Sequence, residues 1–161
     1  MVGKVVKVKI AEYHVLKGEG ILMTIGLGSC VGIALYDAKA KVAGLAHILL
    51  PDSQQFVKRD NLGKYADTAI PLLIQEMKKL GADIRSIQSK IAGGSALFQS
   101  QNNHINGIGI RNVEAVKTAL QELELPLVGS DTGGSAGRTM QLFSKDGKVL
   151  VKAVGSGPIK I

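Results

Sequence analysis

The chain has 161 residues, of which 45% are hydrophobic and 20% charged, the composition of one globular domain spanning residues 1–161. It contains a single cysteine, which excludes an internal disulfide scaffold. The net charge is +7, but aromatic residues make up only 4% and are not interleaved with a basic cluster. This argues against nucleic-acid binding and favours either a solubilising surface or attraction to an acidic protein partner. The sequence has no apolar run of membrane-spanning length and no signal-peptide pattern, so we expect a cytoplasmic protein.

Alternating and short continuous apolar segments predict strands in the first third of the chain. From Val6 to Ile10, apolar residues alternate with lysine, the period-two pattern of a half-buried strand. A second strand is predicted over Ile21 to Ile25, before a glycine-rich turn. Two longer strands, Cys30 to Tyr36 and Lys41 to Leu50, are separated by only four residues, 37–40. This short connection predicts that the last two strands form an antiparallel hairpin.

Two later segments have the 3.6-residue period of amphipathic helices. The first runs from Tyr65 to Leu80 and contains Pro71, which removes a backbone donor. That proline predicts either a kinked helix or one whose firm part begins near Ile70. The second helix is centred on the apolar positions between Val113 and Leu123, with Asn112 as its predicted N-cap.

The remaining strands complete the prediction of fold class. They are expected over Ile87 to Ala92, over Leu127 to Ser130, and over Met140 to Phe143 and Val149 to Ala153, where Asp146-Gly147 is a strong hairpin signal. Strands and helices do not alternate throughout, as a doubly wound parallel sheet would require. The chain is therefore predicted to be an α+β protein with mixed, largely antiparallel sheets.

The single cysteine lies where a nucleophile could act. Cys30 follows the turn 26–29, rich in glycine, whose backbone amides could favour a thiolate or hold an oxyanion. In the predicted hairpin Cys30 faces His47, and directly opposite residues have Cβ atoms about 4.5–5.5 Å apart, as a nucleophile–base pair requires. A register shift of one residue would separate them. The alternatives are a small buried cysteine and a hydrogen-bonded core histidine.

Other motifs point to turns and surface positions. Asp131-Thr132-Gly133 matches the aspartic protease triplet, but it occurs once and that chemistry needs two carboxylates, so a turn is favoured. The segment 26–31 lacks the third glycine of a dinucleotide-binding motif, and Gly93-Gly94-Ser95 lacks the lysine of a phosphate-binding loop. His14 and His104 are expected at the surface, and neither a metal site nor a cofactor is predicted.

Several of these motifs, taken in order, resemble one known family, the chemoreceptor glutamine deamidases (CheD). The resemblance covers nearly the whole chain and is weakest over residues 1–10 and 54–62 and at the last residues. The segments that carry it are Thr24-Ile25-Gly26-Leu27-Gly28-Ser29-Cys30-Val31, Ala46-His47, Leu50-Pro51-Asp52-Ser53, Lys64-Tyr65-Ala66-Asp67, Lys90-Ile91-Ala92-Gly93-Gly94, Asn106 to Asn112 and Asp131-Thr132-Gly133-Gly134.

The resemblance implies a fold and a set of site residues. The fold is a layered α/β/β/α sandwich, shared with the catalytic domain of cytotoxic necrotizing factor toxins. The implied catalytic triad falls on Cys30, His47 and Thr24. Within the glycine-rich turn, Ser29 and Gly28 are expected to contribute to oxyanion or substrate binding, with the backbone amides of Ser29 and Cys30 as the donors.

The resemblance also implies an activity. Members convert specific glutamines of methyl-accepting chemotaxis receptors to glutamate and release ammonia; here the expected route is a thioester on Cys30, without a cofactor. The family further implies a partner, the response-regulator phosphatase CheC. Two other interpretations stay open: a module whose main role is to dock CheC, and a different cysteine amidase or protease, which peptide cleavage products would reveal.

Overall fold

A computed structural model describes residues 3–55, 61–96 and 107–161, which form two five-stranded sheets and two α-helices. The first sheet consists, in spatial order, of β1 (Lys4–Lys7), β3 (Gly20–Leu27), β8 (Arg138–Phe143), β9 (Val149–Ala153) and β10 (Pro158–Lys160). The second consists of β2 (Tyr13–Lys17), β5 (Val42–Ile48), β4 (Val31–Asp37), β6 (Ile87–Gly93) and β7 (Leu127–Thr132). The helices are α1 (Ala66–Lys79) and α2 (Ile108–Glu122), and short 3₁₀ turns occupy Ser53–Gln55, Leu62–Lys64 and Ile84–Ser86.

The two sheets pack face to face, with β4 and β5 at the centre of the second sheet. Ile33 and Leu35 of β4 pack in the cluster that includes both helices, whereas Ala34 packs against the first sheet. Burying each Ile or Leu contributes about 1.5–3 kcal/mol, so these central strands anchor both layers. The predicted α+β sandwich is confirmed. Within the described ranges, both α-helices lie on the outer face of the second sheet, giving the layer order helix, sheet, sheet.

Both predicted helices form, with different starting points. α1 begins at Ala66, whose N–H donates to the Leu50 carbonyl, and it continues through the exposed Pro71. A start near Ile70 is therefore wrong. α2 begins at Ile108 after Gly107, so the prediction of Asn112 as its N-cap is also wrong. Asn112 lies inside the helix on its buried face. Its side chain donates to the carbonyls of Ser29 and Leu49, outside the helix, instead of capping the helix.

The pairing of the strands confirms both predicted hairpins. β8 and β9 are antiparallel, with Leu142 opposite Val149, and Gly147 in the turn has the positive φ of 78° that glycine adopts readily. β4 and β5 are also antiparallel, whereas β1 pairs with β3, and β6 with β7, in parallel. In the part of the chain described by the structure, neither helix is long and apolar enough to cross a membrane.

Candidate active site

His47 and Thr24 connect the two sheets through one buried hydrogen bond. His47 is on β5, Thr24 is on β3, and 2.6 Å separates the imidazole Nδ1 from the threonine Oγ1. The Thr24 hydroxyl also donates to the Val8 carbonyl at 2.6 Å. Because a hydroxyl has only one hydrogen, Nδ1 must carry the proton that Oγ1 accepts. This assigns the tautomer of His47 and leaves its Nε2 with a free lone pair.

The Nε2 atom of His47 is the chemically available end of the ring. The histidine is fully buried, and its Nε2 has no hydrogen-bond partner among the described residues. A buried polar atom without a partner costs about 1–3 kcal/mol, so such atoms in native proteins call for an explanation. The ring is therefore only half satisfied, unlike the core histidine considered from sequence.

The structure places Cys30 on the same side of the sheet as His47, but in a different register from the predicted one. Gly32 lies opposite His47, and the hairpin closes between Asp37 and Val42. The predicted Cys30–His47 opposition is therefore wrong by two residues, because the turn spans 38–41. Since side chains alternate with period two, Cys30 still shares the face of Gly32, diagonally from His47 at about 7–8 Å between Cα atoms. Gly32 has no side chain of its own, and the space above it is filled from the first sheet, since a Cβ there would lie 2.8 Å from Met140 Sδ and 3.1 Å from Leu27 Cδ1.

Burial determines the protonation of both groups. It raises the pKa of the Cys30 thiol above its ordinary value of 9.0, and the backbone N–H of Cys30 opposes this. It lowers the pKa of His47 from 6.5 to about 4. At neutral pH the resting site therefore holds a thiol and a neutral imidazole, not a thiolate–imidazolium ion pair.

The buried neutral His47 predicts an acid-sensitive fold. An unfolded histidine binds its proton near pH 6.5 and the folded one near pH 4, so the unfolded state takes up more protons in this window. Stability should fall as pH is lowered through it, by about 3 kcal/mol in total. Denaturant unfolding of the wild type and His47→Gln at pH 7 and pH 4 would measure the difference. Carboxylates contribute to the acid-induced loss of stability in both proteins, so only the difference between the proteins reports His47. Equal losses of stability between pH 7 and pH 4 would therefore contradict this account.

The glycine-rich turn holds the backbone next to Cys30 in a defined orientation. Gly26, with φ of 80°, follows Thr24 at a register shift in β3, and its carbonyl accepts the Gly28 N–H at 3.0 Å. The Gly28 N–H is thus occupied by a hydrogen bond within the turn, and the Gly28 carbonyl accepts a hydrogen bond from the Ser95 N–H at 2.8 Å. In residues 3–55, 61–96 and 107–161, the N–H groups of Ser29 and Cys30 donate to no backbone carbonyl. The Cys30 N–H instead interacts with its own sulfur.

Sequence reasoning missed two buried side chains that contact this turn. Asn112 Nδ2 donates to the Ser29 carbonyl at 2.9 Å and to the Leu49 carbonyl at 3.0 Å. Ser95 Oγ donates to the Gly28 carbonyl at 2.9 Å. The signal for Asn112 was a polar residue on the apolar face of a predicted helix. Ser95 has no comparable signal, because it follows two glycines in an irregular segment.

A cleft opens beside the turn. It has a volume of about 420 Å³ and includes Ser29 and Ser95 together with glycine-rich backbone at Gly94, Gly109 and Gly133. Its size is in the range of pockets that hold small ligands or a side chain of a partner. The cleft therefore gives the glycine-rich turn 26–29 a concave surface at Ser29.

The other candidate residues have structural or surface roles. The turn predicted over the Asp-Thr-Gly triplet is wrong for its first two residues, because Asp131 and Thr132 end β7 and the chain bends only after them, where Gly133 and Gly134 have positive φ. Asp131 accepts from Arg138 Nε at 3.1 Å, and Arg138 also donates to the Gly133 carbonyl at 2.8 Å. His14 is half-buried and lies 3.4 Å from Glu12. His104 is outside the described residues. Among those that are described, no cluster of three or more histidine, cysteine or acidic side chains could hold a metal.

Cys30, the imidazole of His47 and the Thr24 hydroxyl are the residue types that enzymes with a cysteine nucleophile and an oriented imidazole base use. Comparison with known proteins makes the class specific. Residues 49–153 match the family described as "CheD chemotactic sensory transduction". The chain belongs to the CheD family.

Relatives from three bacteria bear the name "Probable chemoreceptor glutamine deamidase CheD". The protein of Caldanaerobacter subterraneus subsp. tengcongensis is 51% identical over 158 residues, covering 98% of both chains. That of Clostridium botulinum (strain Alaska E43) is 49% identical, covering 97% of each. That of Clostridium acetobutylicum is 47% identical, covering 98% of this chain and 96% of its own. These similarities include residues 24–47, which precede the family match.

Proposed function

We propose that this chain is a cytoplasmic protein-glutamine deamidase that converts glutamines of chemotaxis receptors to glutamate. The observation that carries the proposal is the imidazole of His47, whose Nδ1 is held by Thr24 while Nε2 stays free on the face of Cys30. Acyl transfer from an amide requires a nucleophile, such as a cysteine, and a base that can accept its proton, such as a neutral imidazole. The names of the relatives support the substrate class.

The first half of the reaction forms a thioester. His47 Nε2 takes the proton of the Cys30 thiol as the sulfur attacks the carboxamide carbon, forming the C–S bond and moving the carbonyl π electrons to oxygen. The amides of Ser29 and Cys30 stabilise that oxyanion. The His47 imidazolium then protonates the nitrogen, the C–N bond breaks and ammonia leaves.

The second half regenerates the enzyme. His47 Nε2 takes a proton from water, and the oxygen attacks the thioester carbon. The C–S bond breaks, the sulfur recovers a proton from the imidazolium, and the substrate side chain departs as glutamate. No cofactor is needed, because every proton moves between water, Cys30, His47 and the substrate.

Thr24 orients the base through a neutral oxygen. When the ring becomes positive, Nδ1–H still donates to Oγ1, but a hydroxyl cannot offset the charge as a carboxylate would. We expect Thr24→Val to lower kcat about 10- to 100-fold, the 1–3 kcal/mol of a buried hydrogen bond. Thr24→Ser keeps the hydroxyl and should stay within about threefold of wild type. Steady-state deamidation rates would test this, and equal losses in both variants would contradict it.

The experiment that tests the function uses a receptor cytoplasmic fragment as substrate. The fragment is incubated with wild-type protein or with Cys30→Ala, and peptides and ammonia are then measured. Amide-to-acid conversion at defined glutamines, with equimolar ammonia and only with the wild type, is the expected result. Cleaved chains would replace the proposal with a protease, and an unmodified substrate would refute it.

A second proposal concerns partners: the chain also docks the phosphatase CheC. Ile10 and Ile25, 54% and 56% exposed, line one groove with Lys7 and Lys9, beside the strand of Thr24. Apolar side chains bordered by lysine suit an apolar surface with an acidic border. Cys30→Ala separates the roles, because it should remove deamidation and preserve CheC binding. A binding defect in Ile25→Lys, with Cys30→Ala as control, would support this groove; unchanged binding would exclude it.

A further inference from the structure

Two consecutive carbonyls before Cys30 are held by donors from distant parts of the chain. The Gly28 carbonyl accepts the N–H of Ser95 at 2.8 Å and its Oγ at 2.9 Å. The Ser29 carbonyl accepts Asn112 Nδ2 at 2.9 Å. Both donors are buried, Ser95 with 1% of its surface exposed and Asn112 with none. The two peptide planes are therefore fixed from outside the turn.

Fixing these carbonyls also fixes the amides on their other side. In a trans peptide the C=O and N–H groups point in opposite directions, and the described chain has no cis peptide bond. The plane of the Gly28 carbonyl carries the Ser29 N–H, and the plane of the Ser29 carbonyl carries the Cys30 N–H. Each amide thus points away from the side chain that anchors its plane, and both lack a backbone acceptor among the described residues.

We propose that Ser95 and Asn112 are positioning residues that build an oxyanion hole from the N–H groups of Ser29 and Cys30. The inference rests on the proposed acyl-transfer role of Cys30 and adds the residues that prepare its backbone. A fixed donor needs no reorganisation when charge develops, which is how preorganised amides stabilise an oxyanion. A hydrogen bond to a carbonyl also polarises its peptide and strengthens the N–H as a donor.

The orientation of the Asn112 amide is set by its acceptors. Two carbonyls, of Ser29 and Leu49, both face Nδ2, and the reversed amide would place oxygen against oxygen. Asn112 consequently ties α2 to the nucleophile turn and to the end of the strand that carries His47. A buried amide with two structural acceptors is a rigid anchor, as a positioning role requires.

The approach of Ser95 depends on the two glycines before it. A Cβ at Gly93 would lie 2.2 Å from the Cys30 carbonyl oxygen, and Gly93 has a φ of 112°. Gly94 has a φ of 66°, and its N–H donates to that same carbonyl at 2.8 Å. The segment Gly93-Gly94-Ser95 therefore brings three hydrogen-bond donors against the turn, where a larger residue at Gly93 would clash. Gly93-Gly94-Ser95, which lacks the lysine of a phosphate-binding loop, therefore has a role in holding the turn before Cys30.

The test compares two reactions of Cys30 that need no receptor. Acylation by p-nitrophenyl acetate passes through a tetrahedral oxyanion, whereas alkylation by iodoacetamide displaces iodide and forms no oxyanion. The chain has one cysteine, so alkylation reports Cys30 alone, and the rate with Cys30→Ala gives the background of acylation. The variants are Asn112→Ala and Ser95→Ala. The matched control is Ser89→Ala, which removes a buried serine that donates to the Pro126 carbonyl at 2.8 Å.

The expected result is a selective loss of acylation. Asn112→Ala should lower acylation about 10- to 100-fold and Ser95→Ala about 3- to 10-fold, because the Ser95 N–H remains bonded. Alkylation should stay within about threefold, and the control should change neither reaction. If Asn112→Ala does not fold, Ser95→Ala alone decides the question.

Two outcomes would overturn the inference. Acylation and alkylation that fall together would show that these residues only support the fold around the thiol. Acylation unchanged in both variants would show that the amides are positioned without them. Neither probe is a receptor, so the comparison of acylation with alkylation can be interpreted even if the protein does not deamidate receptors. If the wild type deamidates receptors and the Asn112 and Ser95 variants acylate normally, only the positioning inference is refuted.

Discussion

Cys30→Ser is expected to lose at least about 10³-fold of the kcat/KM for receptor deamidation. The serine hydroxyl is a weaker nucleophile than the thiol towards the carboxamide carbon when a neutral imidazole is the base. The change is nearly isosteric, so the packing between the sheets is kept. Deamidation measured by mass spectrometry, beside the melting temperature of each variant, separates lost chemistry from lost folding. A melting temperature within a few degrees of wild type is expected, since Cys30 is a small member of a large cluster.

A trapping experiment makes the role of the sulfur specific. Hydroxylamine added to the wild-type reaction should intercept a thioester and yield a receptor hydroxamate at the glutamines that are otherwise deamidated. Cys30→Ser and Cys30→Ala should form none. Deamidation retained by Cys30→Ala above about 10% of wild type would refute a covalent role, because a required nucleophile leaves little residual rate.

His47→Gln is expected to lose deamidation by about 10²- to 10⁴-fold, the range of general acid–base catalysis. One ring nitrogen serves four proton transfers: it deprotonates the thiol, protonates the departing nitrogen, activates water and returns a proton to the sulfur. Raising the pH should not rescue the variant, because thiol ionisation replaces only the first of these steps. The wild type, with the pKa of His47 lowered to about 4, should keep its base neutral throughout the range between pH 5 and 7.

The comparison of His47→Gln with Thr24→Val distinguishes a base from its support. Initial rates from pH 5 to 9 would show a large, pH-independent deficit for His47→Gln and a smaller one for Thr24→Val. A threonine variant as impaired as the histidine variant would mean that Thr24 contacts the substrate. A histidine variant with near wild-type rates would remove His47 from the mechanism.

Local patterns in the sequence were enough to predict most of the architecture. The short connection between the strands of Cys30 and His47 and the Asp146-Gly147 turn each act over a few residues, and each corresponds to an observed hairpin. The strands β2 and β10 were missed. β2 mixes polar and apolar residues, and β10 has only three residues, all exposed, so neither has a clear period.

The face shared by Cys30 and His47 could be predicted although the register was wrong. A shift by two residues keeps a side chain on its face of the sheet, whereas a shift by one reverses it. The hairpin loop covers 38–41, with Lys41 at a φ of 55°, a conformation that lysine does not signal in sequence. The face of the sheet on which each side chain lies could therefore be predicted more reliably than the residue directly opposite it.

The sequence by itself determined both helices, most of the strands, the glycine-rich turn before Cys30 and the side of the sheet on which thiol and imidazole lie. Only the tertiary structure decided how the site is assembled. The Thr24–His47 bond crosses between sheets, and Asn112 reaches the nucleophile turn over 83 residues of chain. Alternation and turn chemistry act between near neighbours, whereas these contacts depend on how whole layers pack, which no local pattern encodes.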